Sequence, residues 1–212
     1  MDVKDAQFLV IDFETTTPKG YPPEPIELGL VKVFGMEVDK KVQRAWFIKP
    51  PAHAPLTQFD IVQTGITQKD LDGARSSAEV FDILEDICGR QDYIFIAQNA
   101  KYEQGIIKRF SEGRPKLASR RFIDTIPLAK HAIPHLTNYK LDNLASILKI
   151  AIPADRHRAL ADCVITGLIF SDLIKRIGIV TLDELYQIAE VQSKKITLVK
   201  KDPQMTLFDD DL

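Results

Sequence analysis

The fold of this chain turns on Phe8-Leu9-Val10-Ile11-Asp12-Phe13-Glu14. Four apolar, partly β-branched residues are too few for a helix and read as a buried strand. That strand runs straight into Asp12 and Glu14. Two residues apart on a strand, their carboxylates project from one face, at the carboxyl end where α/β sheets place their sites. An isolated D-x-E pattern is commonplace on protein surfaces. Here it ends an apolar strand expected in the middle of a sheet, where unpaired charge is expensive, and a hard divalent cation would remove that cost.

Outward from this strand, a Pro/Gly-rich loop covers 18–25, and residues 26–34 and 43–48 read as strands forming an antiparallel meander with the first. Ser76 and Ser77 open a helix expected to run to about Cys88 and close at Gly89, with Ala78, Val80, Phe81, Leu84 and Ile87 as its apolar stripe. Residues 93–97 and 122–124 read as further strands, and residues 102–110, 128–132, 141–148, 159–174 and 182–191 as helices. Thr181 and Glu184 form a capping-box pattern for the last of these. Three strands followed by strand-helix units predict an α/β fold: a mixed five-stranded sheet, antiparallel meander plus parallel strands, with helices on both faces.

With 212 residues, 45% of them hydrophobic and 27% charged, the chain has material for one good core. The expected organisation is a catalytic domain over 1–195 and a short flexible tail over 196–212. A net charge of −2 excludes a protein that coats long nucleic acid through many phosphate contacts, but not an enzyme that grips a few nucleotides. Charge is uneven: Lys101, Lys108, Arg109, Arg114, Lys116, Arg120 and Arg121 stand against Glu103 and Glu112, a cluster suited to steering phosphate. Cys88 and Cys163 are far apart and suggest neither a disulfide framework nor a zinc site. Neither a leader nor a membrane span is legible, so a cytoplasmic protein is expected.

Asp162 falls four residues into a helix, and His157 lies five residues earlier. Were both helical they would point about 140° apart. His157 therefore belongs on the loop entering the helix, where it can swing over a site to which Asp162 is fixed.

Ile11-Asp12-Phe13-Glu14-Thr15-Thr16, Gln98-Asn99-Ala100-Lys101-Tyr102-Glu103 and His157-Arg158-Ala159-Leu160-Ala161-Asp162 resemble, in order and spacing, the three motifs of the DEDDh family of 3′→5′ exonucleases with the ribonuclease-H-like fold. The resemblance spans residues 8–174. Residues 157–169 lean toward exodeoxyribonuclease X, while Pro55-Leu56-Thr57 and Gln63-Thr64-Gly65-Ile66-Thr67-Gln68 lean toward the histone-mRNA exonucleases. The resemblance implies two divalent ions, Mg²⁺ or Mn²⁺, held by Asp12 as bridging ligand, Glu14, Asp162 and, at longer reach, Glu103, with His157 as general base. It also implies that Thr15 and Thr64-Gly65-Ile66 hold the terminal nucleotide. Asn99 either supports the site or only caps a strand end. Where the family has aspartate after an aromatic, this chain has Glu103 after Tyr102, one methylene longer.

The implied activity is release of nucleoside 5′-monophosphates from single-stranded DNA 3′ ends in replication proofreading or repair. The alternatives are trimming of RNA 3′ ends, or a catalytically weakened module that holds nucleic-acid ends. In the tail, Gln204-Met205-Thr206-Leu207-Phe208 resembles the Q-x-x-L-F peptide by which bacterial replication and repair proteins dock on the DNA sliding clamp, with Gln204, Leu207 and Phe208 as the anchoring residues.

Overall fold

A computed structural model describes residues 1–153 and 157–192. After a short 3₁₀ turn at Val3–Asp5 the chain forms β1 (Gln7–Thr16), β2 (Glu24–Phe34) and β3 (Glu37–Lys49). Two small helices follow, α1 (Gln58–Thr64) and α2 (Gln68–Leu71), then β4 (Arg75–Ser76), α3 (Ser77–Arg90) and β5 (Ile94–Ala97). Next come α4 (Lys101–Arg109), α5 (Pro115–Ala118), β6 (Phe122–Asp124) and α6 (Thr125–Ala132). Among the described residues the chain then forms α7 (Leu141–Ile147), α8 (Ala159–Ile177) and α9 (Leu182–Ala189).

The sheet order is β4-β3-β2-β1-β5-β6. β1, β2 and β3 form the antiparallel meander, while β5 lies parallel to β1, β6 parallel to β5 and β4 parallel to β3. The architecture is the expected one with a correction: six strands, not five. β4 escaped notice because its two residues are too short to show alternation, and Ser76 doubles as the N-cap of α3. α3 also runs past Gly89 to Arg90. Its C-cap Gln91 is extended, so no left-handed glycine is needed there. α1 and α2 were missed as well, although Thr57 with Asp60 and Thr67 with Asp70 carry the capping signal: each aspartate accepts hydrogen bonds from the N–H and hydroxyl of its threonine.

The alternation along β1 sorts the core into two layers. Phe8 and Val10 join Val31 and Val33 against the buried side of α8, with the Phe8 and Phe170 rings 5.1 Å apart. Leu9, Ile11 and Phe13 face the other way, onto α3, α4 and α5 through Phe81, Leu84, Ile106 and Leu117. Each such ring or aliphatic chain, fully buried, stabilises the fold by about 1.5–3 kcal/mol. Asp12 and Glu14 continue the even-numbered row, so the core pattern itself turns them toward α8. They lie within β1, which stays paired with β2 to Thr16, with a bulge between Glu14 and Thr15. β5, however, pairs with β1 only from Phe8 to Val10. The two acids thus stand beyond the end of their parallel neighbour, where the chain has switched from one side of β1 to the other, the usual place for an α/β site.

Two glycines let α8 come close to the sheet. A Cβ on Gly167 would sit 3.3 Å from the methyls of Val10 and Val38. One on Gly29, which pairs with Asp12 in the ladder, would lie 2.4 Å from the backbone carbonyl carbon of Ala159. No side chain fits at the second position without moving the helix start. Among the described residues no helix is long and apolar enough to cross a membrane, and both cysteines are buried free thiols.

Gly29→Ala is expected to lower stability by about 2 kcal/mol or more in urea unfolding, since overpacking against backbone cannot relax through a rotamer. It should also cut turnover well over tenfold in any form that still folds, because it displaces the first turn of α8.

Candidate active site

Asp12 and Glu14 from β1 meet Asp162 from the first turn of α8, with one carboxylate oxygen from each lying within 4.8 Å of the others. The meeting depends on how α8 is anchored. Glu27 sits opposite Glu14 in the ladder and is almost wholly buried, at 2% exposure. Its carboxylate accepts hydrogen bonds from the Ala159 N–H at 3.0 Å and from Arg158 Nε and Nη2 at 3.1 and 2.7 Å. Arg158, the N-cap residue of α8, provides no side-chain cap of its own. A carboxylate from another strand therefore caps this helix and complements its dipole. Only the Glu27 end of this pair is fully buried, so losing its partners would leave an uncompensated buried carboxylate.

Glu103, the third residue of α4, closes the site from the other side of β1. It is 3% exposed, and burial pushes its carboxyl well above the usual glutamate range, with Asp12 and then Asp124 adding to the rise. Its Oε2 is buried without a hydrogen-bond partner. Buried carboxylate oxygens are rarely left so, and an oxygen-only donor set of four carboxylates is what a hard divalent cation takes. The residues present fit such ions.

His157 is exposed, directly ahead of α8, in the left-handed region at φ +72°. That matches the placement on an entering loop, held off the helix, that its spacing predicts. Asn99 is likewise left-handed, at φ +60°, in the turn between β5 and α4. Its N–H donates to Asp124 Oδ1, which also takes the Ile126 N–H as N-cap of α6. Asp124 was not foreseen as a site neighbour, although an aspartate ending a strand before a helix is a recognisable cap. Thr15 Oγ1 and the Tyr102 hydroxyl are 2.7 Å apart, tying the end of β1 to α4 beside Glu103.

α1 is tied to the same region by the buried Asp60, which accepts from the N–H and hydroxyl of Thr17. This brings Thr64, Gly65 and Ile66 toward the β1 end. The Thr64 hydroxyl is engaged with the Asp60 carbonyl and the Ile66 N–H, and Ile66 is buried against Ile26 and Leu71. Gly65, at φ +70°, is the exposed member of the three.

The basic cluster between 101 and 121 is largely structural. Arg109 binds Glu24 and the Pro23 carbonyl, and Arg114 binds Asp82 and the Phe110 and Ala78 carbonyls. Arg120 binds Asp92, and Arg121 pairs with Glu190 and lies over the Tyr186 ring. A cavity of about 880 Å³ beneath α4 and α5 is lined by Lys101, Lys108 and Arg120, but by none of the five site residues. Gln204, Leu207 and Phe208 lie outside the described residues.

Comparison with known proteins gives the same reading. A family model described as exonuclease, RNase_T, matches residues 9–170. The chain belongs to this exonuclease family. Curated relatives include the PolC-type DNA polymerase III of Thermotoga maritima, 34% identical over 191 residues, and that of Bacillus cereus, 32% over 169. These matches cover 88% and 79% of this chain but only 13% and 11% of the relatives. Solved exonucleases share the fold at low identity. The nuclease domain of 3′hExo, a DEDDh family member bound to rAMP, has a TM-score of 0.69 at 19% identity, covering 82% of this chain and 94% of its own. Exonuclease X in complex with 5′ overhanging duplex DNA has a TM-score of 0.63 at 20% identity, covering 85% and 98%. The chain shares the ribonuclease-H-like fold of these exonucleases.

A glutamate whose folded-state pKa is raised holds its proton while the unfolded chain has already released one, so stability falls as pH rises above about 4.5, toward the folded value. Without divalent ions, the thermal midpoint should therefore decline from pH 5 to pH 7. Glu103→Gln should flatten that decline and melt higher than wild type at pH 7. Identical pH profiles for the two proteins would show that Glu103 carries no such penalty.

Proposed function

We propose that this exonuclease removes nucleotides one at a time from the 3′ end of single-stranded DNA, releasing nucleoside 5′-monophosphates, in proofreading or repair. The observation that carries the reading is the convergence of Asp12, Glu14 and Asp162 within 4.8 Å, faced by the buried Glu103 and flanked by an exposed histidine. Asp12, Glu14 and Asp162 would hold one divalent ion, and Asp12 with Glu103 a second. Bound there, Mg²⁺ or Mn²⁺ would neutralise charge on the scissile phosphate and lower the pKa of an attacking water.

The chain's own residues do the rest. His157 accepts the water's proton on its imidazole, placed by the loop that enters α8. The new P–O bond forms as the bond from phosphorus to the 3′ oxygen breaks, and that oxygen leaves as a hydroxyl. Arg158, committed to Glu27, is spent on positioning His157 and Asp162. Thr15 and the Gly65 backbone, brought together through Asp60 and Thr17, hold the terminal nucleotide. The DNA assignment rests on the PolC-type relatives.

Asp12→Ala and Asp162→Ala should each lower kcat by about a thousandfold or more on 5′-labelled single-stranded DNA with Mg²⁺, while the fold is kept. His157→Ala should lose most turnover while the fold is kept. Activity within threefold of wild type in either aspartate variant overturns the assignment, and a faster time course on matched RNA moves the substrate to RNA.

The tail over 196–212 is proposed to dock this enzyme on a DNA sliding clamp through Gln204, Leu207 and Phe208, raising its effective concentration at DNA ends. A peptide of residues 200–212 should bind a bacterial clamp at about micromolar affinity in a calorimetric titration, and Leu207→Ala with Phe208→Ala should abolish that binding. Binding indifferent to the pair removes the clamp from the account.

A further inference from the structure

Beside His157 lies a second concavity, lined by none of the candidate metal ligands. It is an open groove of about 670 Å³ lined by Gln98, Asn99, Ile126, Lys130, Tyr139, Lys140, Leu141, Asp142 and His157. It adjoins the candidate site through His157, which forms part of its wall, and Gln98 and Asn99 of the same wall follow directly on β5, the parallel neighbour of β1.

The walls are built, not loose. Gln98 Nε2 donates to the Tyr139 carbonyl at 2.7 Å, and Gln98 Oε1 accepts from the Thr125 hydroxyl. The Tyr139 hydroxyl donates to the Ile133 carbonyl at 2.9 Å. One side chain from the end of β5 thus pins the segment ahead of α7 to the start of α6, and the groove keeps its shape without a ligand.

The groove carries cationic charge of its own. On the β2 side the two arginines nearest the site are committed, Arg109 to Glu24 and Arg158 to Glu27. In the groove, Lys130 and Lys140 are both exposed, and no ion pair to either is found among the described residues. Lys130 Nζ lies 5.8 Å from the centre of the Tyr139 ring, an arrangement that holds the ammonium on the groove wall. Asp142 is the acid of this lining, so the two lysines leave the groove net positive even with His157 neutral. In a chain of net charge −2, a cationic trough ending at a phosphodiester-cleaving site is suited to a polyanion.

We propose that this groove carries the single strand 5′ of the scissile phosphate, with Lys130 and Lys140 each contacting a backbone phosphate upstream of the cut. The inference rests on the exonuclease reading above and adds the path of the strand to it. The groove volume accommodates roughly one or two nucleotides. The contacts are to the backbone, so they confer grip and processive tracking without base preference.

The test compares two substrates of the full chain with Mg²⁺: a 5′-labelled 12-residue oligothymidylate, and the p-nitrophenyl ester of thymidine 5′-monophosphate, which fills the cleavage site but has no upstream strand. In the variant carrying Lys130→Gln and Lys140→Gln, kcat/KM on the oligonucleotide should fall about tenfold at low salt. Its logarithmic salt dependence should become shallower by about 1.4, the value for two lost single-strand contacts. Hydrolysis of the ester should stay within twofold. Wild-type kcat/KM should rise from dinucleotide to tetranucleotide, and the variant should show little rise. Unchanged oligonucleotide kinetics and salt slope, with normal ester hydrolysis, overturn the groove assignment and leave the exonuclease reading standing. An equal loss on both substrates also overturns it, since the lysines would then act on the cleavage site. Wild-type protein that hydrolyses neither substrate overturns the exonuclease reading and the groove with it.

Discussion

Everything at the site hangs on how the start of α8 is seated on β2. Asp162 reaches Asp12 and Glu14 only because the first turn of that helix lies against the strand backbone, and two features of β2 permit it. Gly29 leaves the space, since any Cβ there would overlap the Ala159 carbonyl group. Glu27, two residues along the same face, supplies the charge that holds the helix N-terminus down through Ala159 and Arg158. A missing side chain and a buried carboxylate together set the position of a residue more than 130 positions away in sequence.

The second organising constraint is electrostatic. Glu27, Glu14, Asp12, Asp162 and Glu103 crowd the region between β1, β2, α4 and α8, and burying that much negative charge is costly unless each carboxylate is compensated. Glu24 and Glu27 find guanidinium partners in Arg109 and Arg158. Glu103 does not: one of its oxygens is buried without a hydrogen bond, and its carboxyl holds its proton far above the ordinary range. The fold therefore stores a penalty that a divalent cation bound there would relieve, so that metal binding would contribute to stability. The longer reach of Glu103, compared with an aspartate at that point of α4, is accommodated by burial rather than by exposure to solvent.

Cations in this protein divide by type. Arginines act as clamps: Arg109, Arg114, Arg120 and Arg121 each join elements distant in sequence, using the planar fork that binds carboxylates and carbonyls together. The lysines of the groove stay exposed and hydrated, the state in which an ammonium can meet a passing phosphate. The arginines of a dense basic stretch in sequence therefore became scaffold, while the groove takes its charge from two lysines outside that stretch.

Much of this was legible from the residues alone. The short apolar run ending in Asp12 and Glu14 and the order of strands and helices determined the fold class, because alternation along a strand and phase along a helix are local properties that sequence encodes directly, while the five candidate site residues were legible through the resemblance of the three motifs to a known family. Elements too short for a period, namely β4, α1, α2 and α5, were not legible by alternation, and only the capping threonines marked two of them. The roles of Glu27, Gly29, Asp124 and Gln98 were decided only by tertiary structure. Glu27, Gly29 and Gln98 act on groups brought near by folding, whose partners lie far away in the chain, and no local pattern distinguishes them from ordinary strand or turn positions; Asp124 carries a local capping signal, but its link to Asn99 is tertiary. The fate of the arginines was undecidable for the same reason: whether a cation faces a phosphate or a carboxylate depends on what the fold places opposite it.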